Sequence, residues 1–334
     1  MFKKSTTPHI LAKNTTQSIM FDVILALFPA LIVSVMFFGL KAILILTTSV
    51  ASCLLFEYLC GKYWLHTPKN TTKDLSAVIT ALLLACSLPS NLPLIFVVFG
   101  AFVSIVVTKM SFGGLGMNVF NPALMGRVFL FLSFPVYMTS WPKPKFLDFL
   151  HEDVSTGATT LELIKYSDAS TSATRLNNDD YLSNIPDYFD MITGYISGSL
   201  GEVSAIALLL GLLYLLHKNI ITWHIPFFYI LTVFVSVYIV SLFFDEPTKY
   251  NALTHVLSGG LLLGAIFMAT DYVTSPMSDK GKIIFAIGCG LLTVLIRLTT
   301  VYGEGVSFAI LIMNAFVPFI DKITVPKIYG TGGK

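Results

Sequence analysis

The sequence predicts an all-α polytopic membrane protein with about ten transmembrane helices. Of its 334 residues, 55% are hydrophobic and only 12% are charged, whereas a soluble domain carries about a quarter of its residues as charges. The charges lie in clusters between apolar runs of roughly 15 to 25 residues, the length that crosses a bilayer as a helix. We therefore expect the lipid bilayer, and no nucleic acid, as a partner.

The apolar runs form two groups of five. The first group lies at roughly 19–38, 42–60, 75–88, 93–108 and 122–138, and the second at roughly 201–216, 224–244, 252–270, 283–301 and 305–320. We therefore divide the chain into a first membrane repeat (1–138), a polar loop (139–200) and a second membrane repeat (201–334). The first run lacks a small-residue cleavage site, so we expect a retained span and no cleaved signal peptide.

The basic residues predict the orientation in the membrane. With the N-terminus in the cytoplasm, 14 of the 21 Lys and Arg residues fall on the inside, as the positive-inside rule requires. Apart from the long loop, only Lys41, Lys249 and Arg297 then lie outside. We expect both termini in the cytoplasm, with residues 139–200 on the extracytoplasmic face.

The two groups of spans resemble each other. LSAVITALLLACSLP (75–89) is similar to LSGGLLLGAIFMATD (257–271), and each is followed one span later by a Gly-rich turn, FGGLGMNVFNPA (112–123) or YGEGVSFAILIMNA (302–315). Five spans per copy is an odd number, so the second copy must be inverted. Inverted repeats form sites at their interface near the midplane. Chance similarity between two apolar sequences is the alternative.

Glycines in these segments have two interpretations. Small residues in the second copy suit close helix packing; they are Ser258, Gly259, Gly260, Gly264, Ala265 and Ala269. The turn glycines are expected to free the backbone and expose amide groups; they are Gly113, Gly114, Gly116, Gly303 and Gly305. Asn118, Asn121 and Pro122 follow the first turn, and Pro122 suits a first helical position. A broken helix that lines a cavity and a plain tight loop both fit this pattern.

Ionisable residues at membrane depth are candidates for function because burying them is costly. They are Asp22, Glu57, Asp74, Arg127, Glu202, His255, Asp271 and Arg297. Most lie near a predicted helix end, where capping or snorkelling explains them, and a proton or sodium pathway is the alternative. Cys53, Cys60, Cys86 and Cys289 form no C-x-x-C pair, so we expect small buried hydrophobic residues and no metal site.

The polar loop contains the run DVSTGATTLELIK, residues 153–165. Thr159 or Thr160 can cap a short helix with Glu162 in its first turn, Gly157 then being a turn residue. The run also resembles the flavinylation signal Asp-x-x-(Ser/Thr)-Gly-Ala-(Thr/Ser), which gives Asp153, Thr156, Gly157, Ala158 and the acceptor Thr159. In that signal the last hydroxyl is esterified to the phosphate of FMN. The two interpretations are compatible, because amides at a helix start suit a phosphate.

The resemblance to a known family covers nearly the whole chain. SIMFDVILALFPA (18–30), SFGGLGMNVFNPALMGRVFLFLSFP (111–135) and LSGGLLLGAIFMATDYVTSP (257–276) are among the blocks that resemble the RnfD/NqrB family. The resemblance implies a fold of ten helices in two inverted repeats, and a subunit of the ion-translocating (Na⁺ or H⁺) Rnf ferredoxin:NAD oxidoreductase complex. The absence of a long cytoplasmic extension before the first span favours the RnfD branch.

The same resemblance implies cofactors and partners. Covalent FMN at Thr159 would be attached by a dedicated flavin transferase that uses FAD, and a non-covalent riboflavin would lie in the membrane part. Other Rnf subunits would bind the chain, which is not expected to be active alone. Two further classes stay open on the residues themselves: a solute channel or transporter, which inverted repeats and broken helices also suit, and a structural scaffold without flavin.

Overall fold

A computed structural model of the chain describes residues 15–65, 71–147, 156–166, 185–244, 251–300 and 303–324. Helices dominate these residues, which confirms the all-α class. Four of the described helices are long and apolar enough to cross a bilayer: Thr16–Tyr63, His224–Ser241, Asp279–Thr299 and Val306–Thr324. Shorter apolar helices lie at Ser76–Cys86, Leu94–Met110, Pro122–Ser133 and Ala205–His217. The chain is thus a membrane protein.

Five α-helices lie in the described residues of the first half. They are α1 (Thr16–Tyr63), α2 (Ser76–Cys86), α3 (Leu94–Phe102, continued by a π-helical stretch at Val103–Met110), α4 (Pro122–Ser133) and α5 (Pro135–Met138). A straight helix as long as α1 would measure about 72 Å, more than twice the roughly 30 Å of a hydrocarbon core. Gly39, with φ 58° and ψ −139°, breaks α1 between the two predicted runs 19–38 and 42–60.

Before the second half, the described residues of the polar loop form two strands and two short helices. The loop holds strands β1 (Trp141–Pro142) and β2 (Thr156–Gly157), which pair antiparallel, and helices α6 (Thr160–Tyr166) and α7 (Tyr188–Thr193). The membrane part continues with α8 (Ala205–His217), α9 (His224–Ser241), α10 (Ala252–Leu257), α11 (Leu261–Leu263, continued by a π-helical stretch at Gly264–Met268), α12 (Asp279–Thr299) and α13 (Val306–Thr324).

The glycines of the second half differ in part from the prediction. Gly259 and Gly260 have φ of +68° and +66° and break the predicted run 252–270. Close packing is also present at Gly259, where an added Cβ would lie 2.3 Å from Leu161 Cδ1. It is confirmed for Gly264, where an added Cβ would lie 2.4 Å from Val306 Cγ1. Gly303 and Gly305 were expected to free the backbone, but neither has positive φ. An added Cβ at Gly305 would lie 2.9 Å from the Thr293 carbonyl oxygen, so close packing explains that residue.

The first Gly-rich turn matches its prediction. Gly113, Gly114 and Gly116 all have positive φ, a conformation that glycine adopts without steric cost. Helix α4 then begins at Pro122, and the Asn121 side chain accepts hydrogen bonds from the amides of Ala123 (3.0 Å) and Leu124 (3.3 Å). The Asn121 amide group also donates to the Met268 carbonyl oxygen at 3.0 Å, which ties this helix start to the second half.

The two halves pack through several helices. Helix α1 lies against α2, α3 and α8, α9 lies along α12, and α4 of the first half meets α13 of the second. The four cysteines are free thiols buried in this packing, as predicted. Cys86, for example, leaves no room for a side chain at residue 201, where an added Cβ on Gly201 would lie 2.4 Å from the Cys86 Cβ.

Candidate functional site

Thr159 is the N-terminal cap of helix α6. The Thr159 amide donates to Glu162 Oε2 at 2.9 Å, and the Glu162 amide donates to Thr159 Oγ1 at 3.3 Å. This reciprocal pair is a capping box, which satisfies two amides that the helix itself cannot. The predicted cap and its partner Glu162 are therefore confirmed, with Thr159 in the capping position and Thr160 as the first helical residue.

The residues before Thr159 form a short strand. Gly157 pairs with Trp141, and Thr156 pairs with Pro142, so the prediction of Gly157 as a turn residue is wrong. An added Cβ at Gly157 would lie 2.8 Å from Ser197 Oγ and 3.1 Å from Lys143 Cε. A larger residue here would require the Ser197 and Lys143 side chains to shift. Thr156 is exposed and Ala158 is half-buried, whereas Asp153, the first residue of the predicted motif, lies outside the described residues.

Helix α6 packs against two Gly-containing segments between helices of the second half, one at Gly259 and the other at Gly303. Leu161 Cδ1 lies 2.3 Å from the position that a Cβ on Gly259 would take. On the other side, an added Cβ at Gly303 would lie 3.6 Å from Leu161 Cβ, an ordinary contact. The Lys165 ammonium donates to the Thr300 carbonyl oxygen at 2.7 Å. We call the surface formed by Gly259, Thr300 and Gly303 the α6 seat.

A cavity of about 710 Å³ opens beside Thr159. Its volume lies within the range of roughly 300 to 1,000 Å³ that is typical of ligand and cofactor sites. Phe131 and Trp141 give it aromatic walls, while Thr159, Glu162, Lys165 and Glu304 contribute polar groups. The cavity therefore combines an apolar wall with a hydroxyl, two carboxylates and an ammonium group.

Burial shifts the pKa of both ionisable groups that α6 places in this cavity. The pKa of Glu162 is raised chiefly by burial and also by the nearby Glu304 carboxylate, while hydrogen bonds from Thr159 and Trp141 act in the opposite direction. The pKa of Lys165 is lowered to about 8, first by burial and second by the Arg297 guanidinium. A further negative charge in the cavity would favour the protonated form of each group.

A cluster of buried charges lies next to the cavity and joins the two halves. Arg127 of α4 forms an ion pair with Glu304, just before α13, and Ser199 donates a hydrogen bond to Glu202. An added Cβ at Gly260 would lie 3.0 Å from Glu202 Oε2, so the break before α11 lets the chain approach this carboxylate. We call Arg127, Glu202, Arg297 and Glu304 the charge cluster.

Arg297 stabilises the non-helical segment between α10 and α11. Its guanidinium donates to the carbonyl oxygens of His255 (2.6 Å), Ser258 (2.9 Å) and Gly259 (3.1 Å). These carbonyls lie at a helix end, where no intrahelical amide reaches them. Arg297 therefore has a structural explanation, and it also lies close enough to Glu202 and Glu304 to interact with their charges.

A second buried ion pair lies at the other end of α4. Lys109 donates to Glu57 Oε1 at 2.9 Å and to Ser76 Oγ at 2.6 Å. Lys109 lines a narrow, mostly apolar pocket of about 90 Å³, together with Asn121 and Asp271. Since Asn121 precedes α4 and Phe131 lies near its C-terminal end, the helix runs from this pocket to the cavity beside Thr159.

Local contacts explain three other ionisable candidates, Asp22, Asp74 and Asp271. Asp74 accepts hydrogen bonds from the amide (3.0 Å) and the hydroxyl (2.6 Å) of Ser76, which confirms the predicted helix-end role. Asp271 accepts from Thr274 Oγ1 at 3.1 Å, again just beyond a helical stretch. Asp22 accepts from the Tyr214 hydroxyl at 2.7 Å. The structure thus brings Arg127, Glu202 and Arg297 together and leaves Asp22, Asp74 and Asp271 apart from them.

Sequence reasoning missed Glu304 and Lys109 as members of these sites. Glu304 stands within the quoted turn YGEG, and a carboxylate between two glycines next to an apolar run was the available signal. Lys109 stands at the end of the run 93–108, where the orientation rule counts it as a cytoplasmic charge. Its burial, with only 2% of the side chain exposed, was not visible in the sequence.

Comparisons with known proteins place the chain among redox-complex subunits. It is 42% identical over 328 residues to the D subunit of the Na⁺-translocating ferredoxin:NAD⁺ oxidoreductase complex of Acetobacterium woodii, covering 98% of this chain and 94% of that protein. It is 41% identical to the D subunit of the proton-translocating ferredoxin:NAD⁺ oxidoreductase complex of Clostridium ljungdahlii, over 99% of this chain and 97% of that protein. The D subunit of the ion-translocating oxidoreductase complex of Stutzerimonas stutzeri is 37% identical, over 96% and 94%.

The family comparison confirms the resemblance seen in the sequence blocks. Residues 3–330 match the NQR2, RnfD, RnfE family, a span that includes both membrane halves and the polar loop with Thr159. The chain belongs to the NQR2, RnfD, RnfE family.

Proposed function

We propose that this chain is the membrane flavoprotein subunit of an ion-translocating ferredoxin:NAD⁺ oxidoreductase complex and carries electrons through FMN esterified to Thr159. The observation that carries the proposal is the placement of Thr159: the hydroxyl of the flavinylation-like motif caps a helix on the wall of a cofactor-sized cavity. The relatives named as subunits of such complexes support the same role.

The residues of the cavity fit FMN. Thr159 offers the ester oxygen, and the amide of Glu162 points at that oxygen from the start of α6. Lys165 supplies a positive charge on the same cavity wall, which suits a phosphate. Phe131 and Trp141 offer aromatic surface for a tricyclic ring. FMN, when bound, supplies the one-electron chemistry, while these residues hold and orient it and exclude water.

The expected non-covalent riboflavin fits less well. The pocket beside Lys109 has the required mixture of apolar walls and polar groups, but its volume of about 90 Å³ is well below the roughly 300 Å³ at which ligand sites begin. Riboflavin therefore stays an expectation from the family resemblance.

The arrangement in the membrane is part of the proposal. We propose ten spans in two inverted repeats in a bacterial inner membrane, with both termini in the cytoplasm and Thr159 outside. One pair of contacts supports the repeats: Lys109, before the first Gly-rich turn, binds Ser76 at the start of α2. Arg297, before the second turn, binds Ser258 ahead of α11. The partners would be the other complex subunits and a flavin transferase.

The proposal holds for either pumped ion, because the Na⁺-named and proton-named relatives are 42% and 41% identical to this chain.

The flavoprotein role is tested by co-expressing the chain with its flavin transferase and mapping flavin to peptides by mass spectrometry. We expect FMN on the peptide that contains Thr159. A fully processed chain without flavin would contradict the proposal and favour the channel interpretation, and transport assays of the purified chain would follow.

A further inference from the structure

The acceptor threonine is buried by the helix that it caps. Thr159 is only 7% exposed and Thr160 only 3%. Both the amide and the hydroxyl of Thr159 are engaged by Glu162. The cavity beside Thr159 is wide enough for a nucleotide, but an enzyme must also bring its own catalytic groups to this hydroxyl. Among the described residues, the docked helix keeps this hydroxyl buried.

Leu161 and Ile164 are the buried apolar residues of this docked helix, each 3% exposed. Leu161 Cδ1 occupies the space that any side chain at residue 259 would need. Gly259 has φ +68°, so a glycine at this position provides both the break between helices and the room for Leu161. Lys165 donates a hydrogen bond to the Thr300 carbonyl oxygen. Leu161 therefore packs directly on the α6 seat beside Gly259, and Lys165 adds a polar contact.

We propose that the flavin transferase modifies Thr159 only when α6 has left its seat, and that α6 then docks again and closes over the esterified threonine. This inference rests on the proposed function. The undocked segment exposes the Thr159 hydroxyl to the transferase, whereas the docked segment forms the wall of the flavin cavity.

The chemistry of the transfer uses FAD as the donor. The Thr159 hydroxyl oxygen forms a bond to the phosphorus that carries the flavin, and the bond from that phosphorus to the bridging oxygen breaks. AMP leaves with the bridging oxygen, and the hydroxyl proton passes to a base of the transferase or to water. Esterification makes the Thr159 oxygen a poorer acceptor for the Glu162 amide, so the docked state then relies more on Leu161 and Lys165.

The experiment measures how fast the folded, unmodified chain accepts FMN. Full-length chain is purified from cells without the transferase, and the transferase, FAD and Mg²⁺ are then added. Initial rates are followed by in-gel flavin fluorescence. Gly259→Ala displaces Leu161 without altering the motif, and we expect at least a tenfold faster initial rate. Leu163→Ala, at a half-buried residue of the same helix outside the seat, is the control, and its rate should equal that of the wild type.

A second variant covers the case in which Gly259→Ala fails to fold, since its new Cβ would also lie 2.8 Å from Arg297 Nη2. Leu161→Ala removes the side chain that packs beside Gly259 and should also accelerate attachment. Leu163→Ala, at a half-buried residue, should not. Equal rates in wild type, Gly259→Ala and Leu161→Ala would overturn the inference. Absence of flavin from every variant, including chain matured in cells, would instead overturn the proposed function.

Discussion

The two ends of helix α4 hold buried charges in different ways. At the Lys109 end, a single ion pair with Glu57 lies within the first half of the chain, and both side chains are almost fully covered at 2% and 1% exposure. At the Thr159 end, the charge cluster draws members from both halves, and Glu304 faces a cavity of about 710 Å³. Burial of charge therefore does not identify a functional site by itself. The open cavity, with the Thr159 hydroxyl on its wall, distinguishes the second end.

Loss of Arg297 should have the largest effect on stability. Arg297→Ala leaves three carbonyl oxygens of the α10–α11 break without this donor and removes a cation from beside Glu202 and Glu304. We expect a loss of about 3 to 5 kcal/mol, measured as thermal unfolding in detergent. Arg297→Lys keeps the charge with fewer donors and should lose less. Equal losses in the two variants would show that the hydrogen bonds to the break contribute little.

The ion pair of Lys109 with Glu57 should affect stability independently of the site beside Thr159. Glu57→Gln leaves the Lys109 ammonium buried without its counter-charge, at a cost of about 3 kcal/mol. The double variant Glu57→Gln/Lys109→Met removes both charges and should be more stable than Glu57→Gln alone. The same unfolding assay gives the coupling energy. Flavin attachment at Thr159 should be unchanged in these chains, and a loss of flavin would contradict the separation of the two ends.

A glycine substitution at the charge cluster should have an intermediate effect. Gly260→Ala forces a side chain into a residue with φ +66°, at 3.0 Å from Glu202 Oε2. We expect a loss of about 1 to 3 kcal/mol. Gly303→Ala has normal φ and ordinary contacts, so thermal unfolding of that control should match the wild type. A stable Gly260→Ala chain would show that the break before α11 can relax.

The smallest expected effect is a pH dependence of α6 docking. The pKa of Lys165 is about 8 in the folded chain, against 10.5 for an unperturbed lysine, so between these values the undocked state binds more protons. Docking should therefore strengthen as pH rises from about 8 to 10.5. Hydrogen exchange of residues 156–166, corrected for intrinsic rates, measures this trend. Lys165→Met should abolish it, and an unchanged slope in that variant would assign the trend to another group.

The sequence predicted the periodic features of the fold better than its breaks. The apolar runs located helices such as α9 and α12 because hydrocarbon thickness fixes their length. The break at Gly259–Gly260 was not predicted, because a small residue in an apolar run suits close packing and a break alike until its φ is known. The Gly-rich pattern predicted a freed backbone correctly at Gly113 and Gly116. The same pattern failed at Gly305, where contact with the Thr293 carbonyl explains the glycine.

The candidate site shows the same division. The helix cap Thr159 and its partner Glu162 were predictable, because a capping box is a local pattern with a spacing of three residues. The seat for Leu161, the ion pair of Arg127 with Glu304 and the burial of Lys109 were not predictable. Each depends on residues far apart in sequence, for which a single chain carries no pairing signal.

The most direct test of covalent flavin at Thr159 is the intact mass of the chain matured with its flavin transferase, compared with Thr159→Ala and Thr160→Ala. We expect the wild type and Thr160→Ala to carry the added mass of FMN less one water, and Thr159→Ala to carry none. An adduct that persists in Thr159→Ala, or that disappears in Thr160→Ala alone, would contradict Thr159 as the acceptor and the cavity beside it as the flavin site.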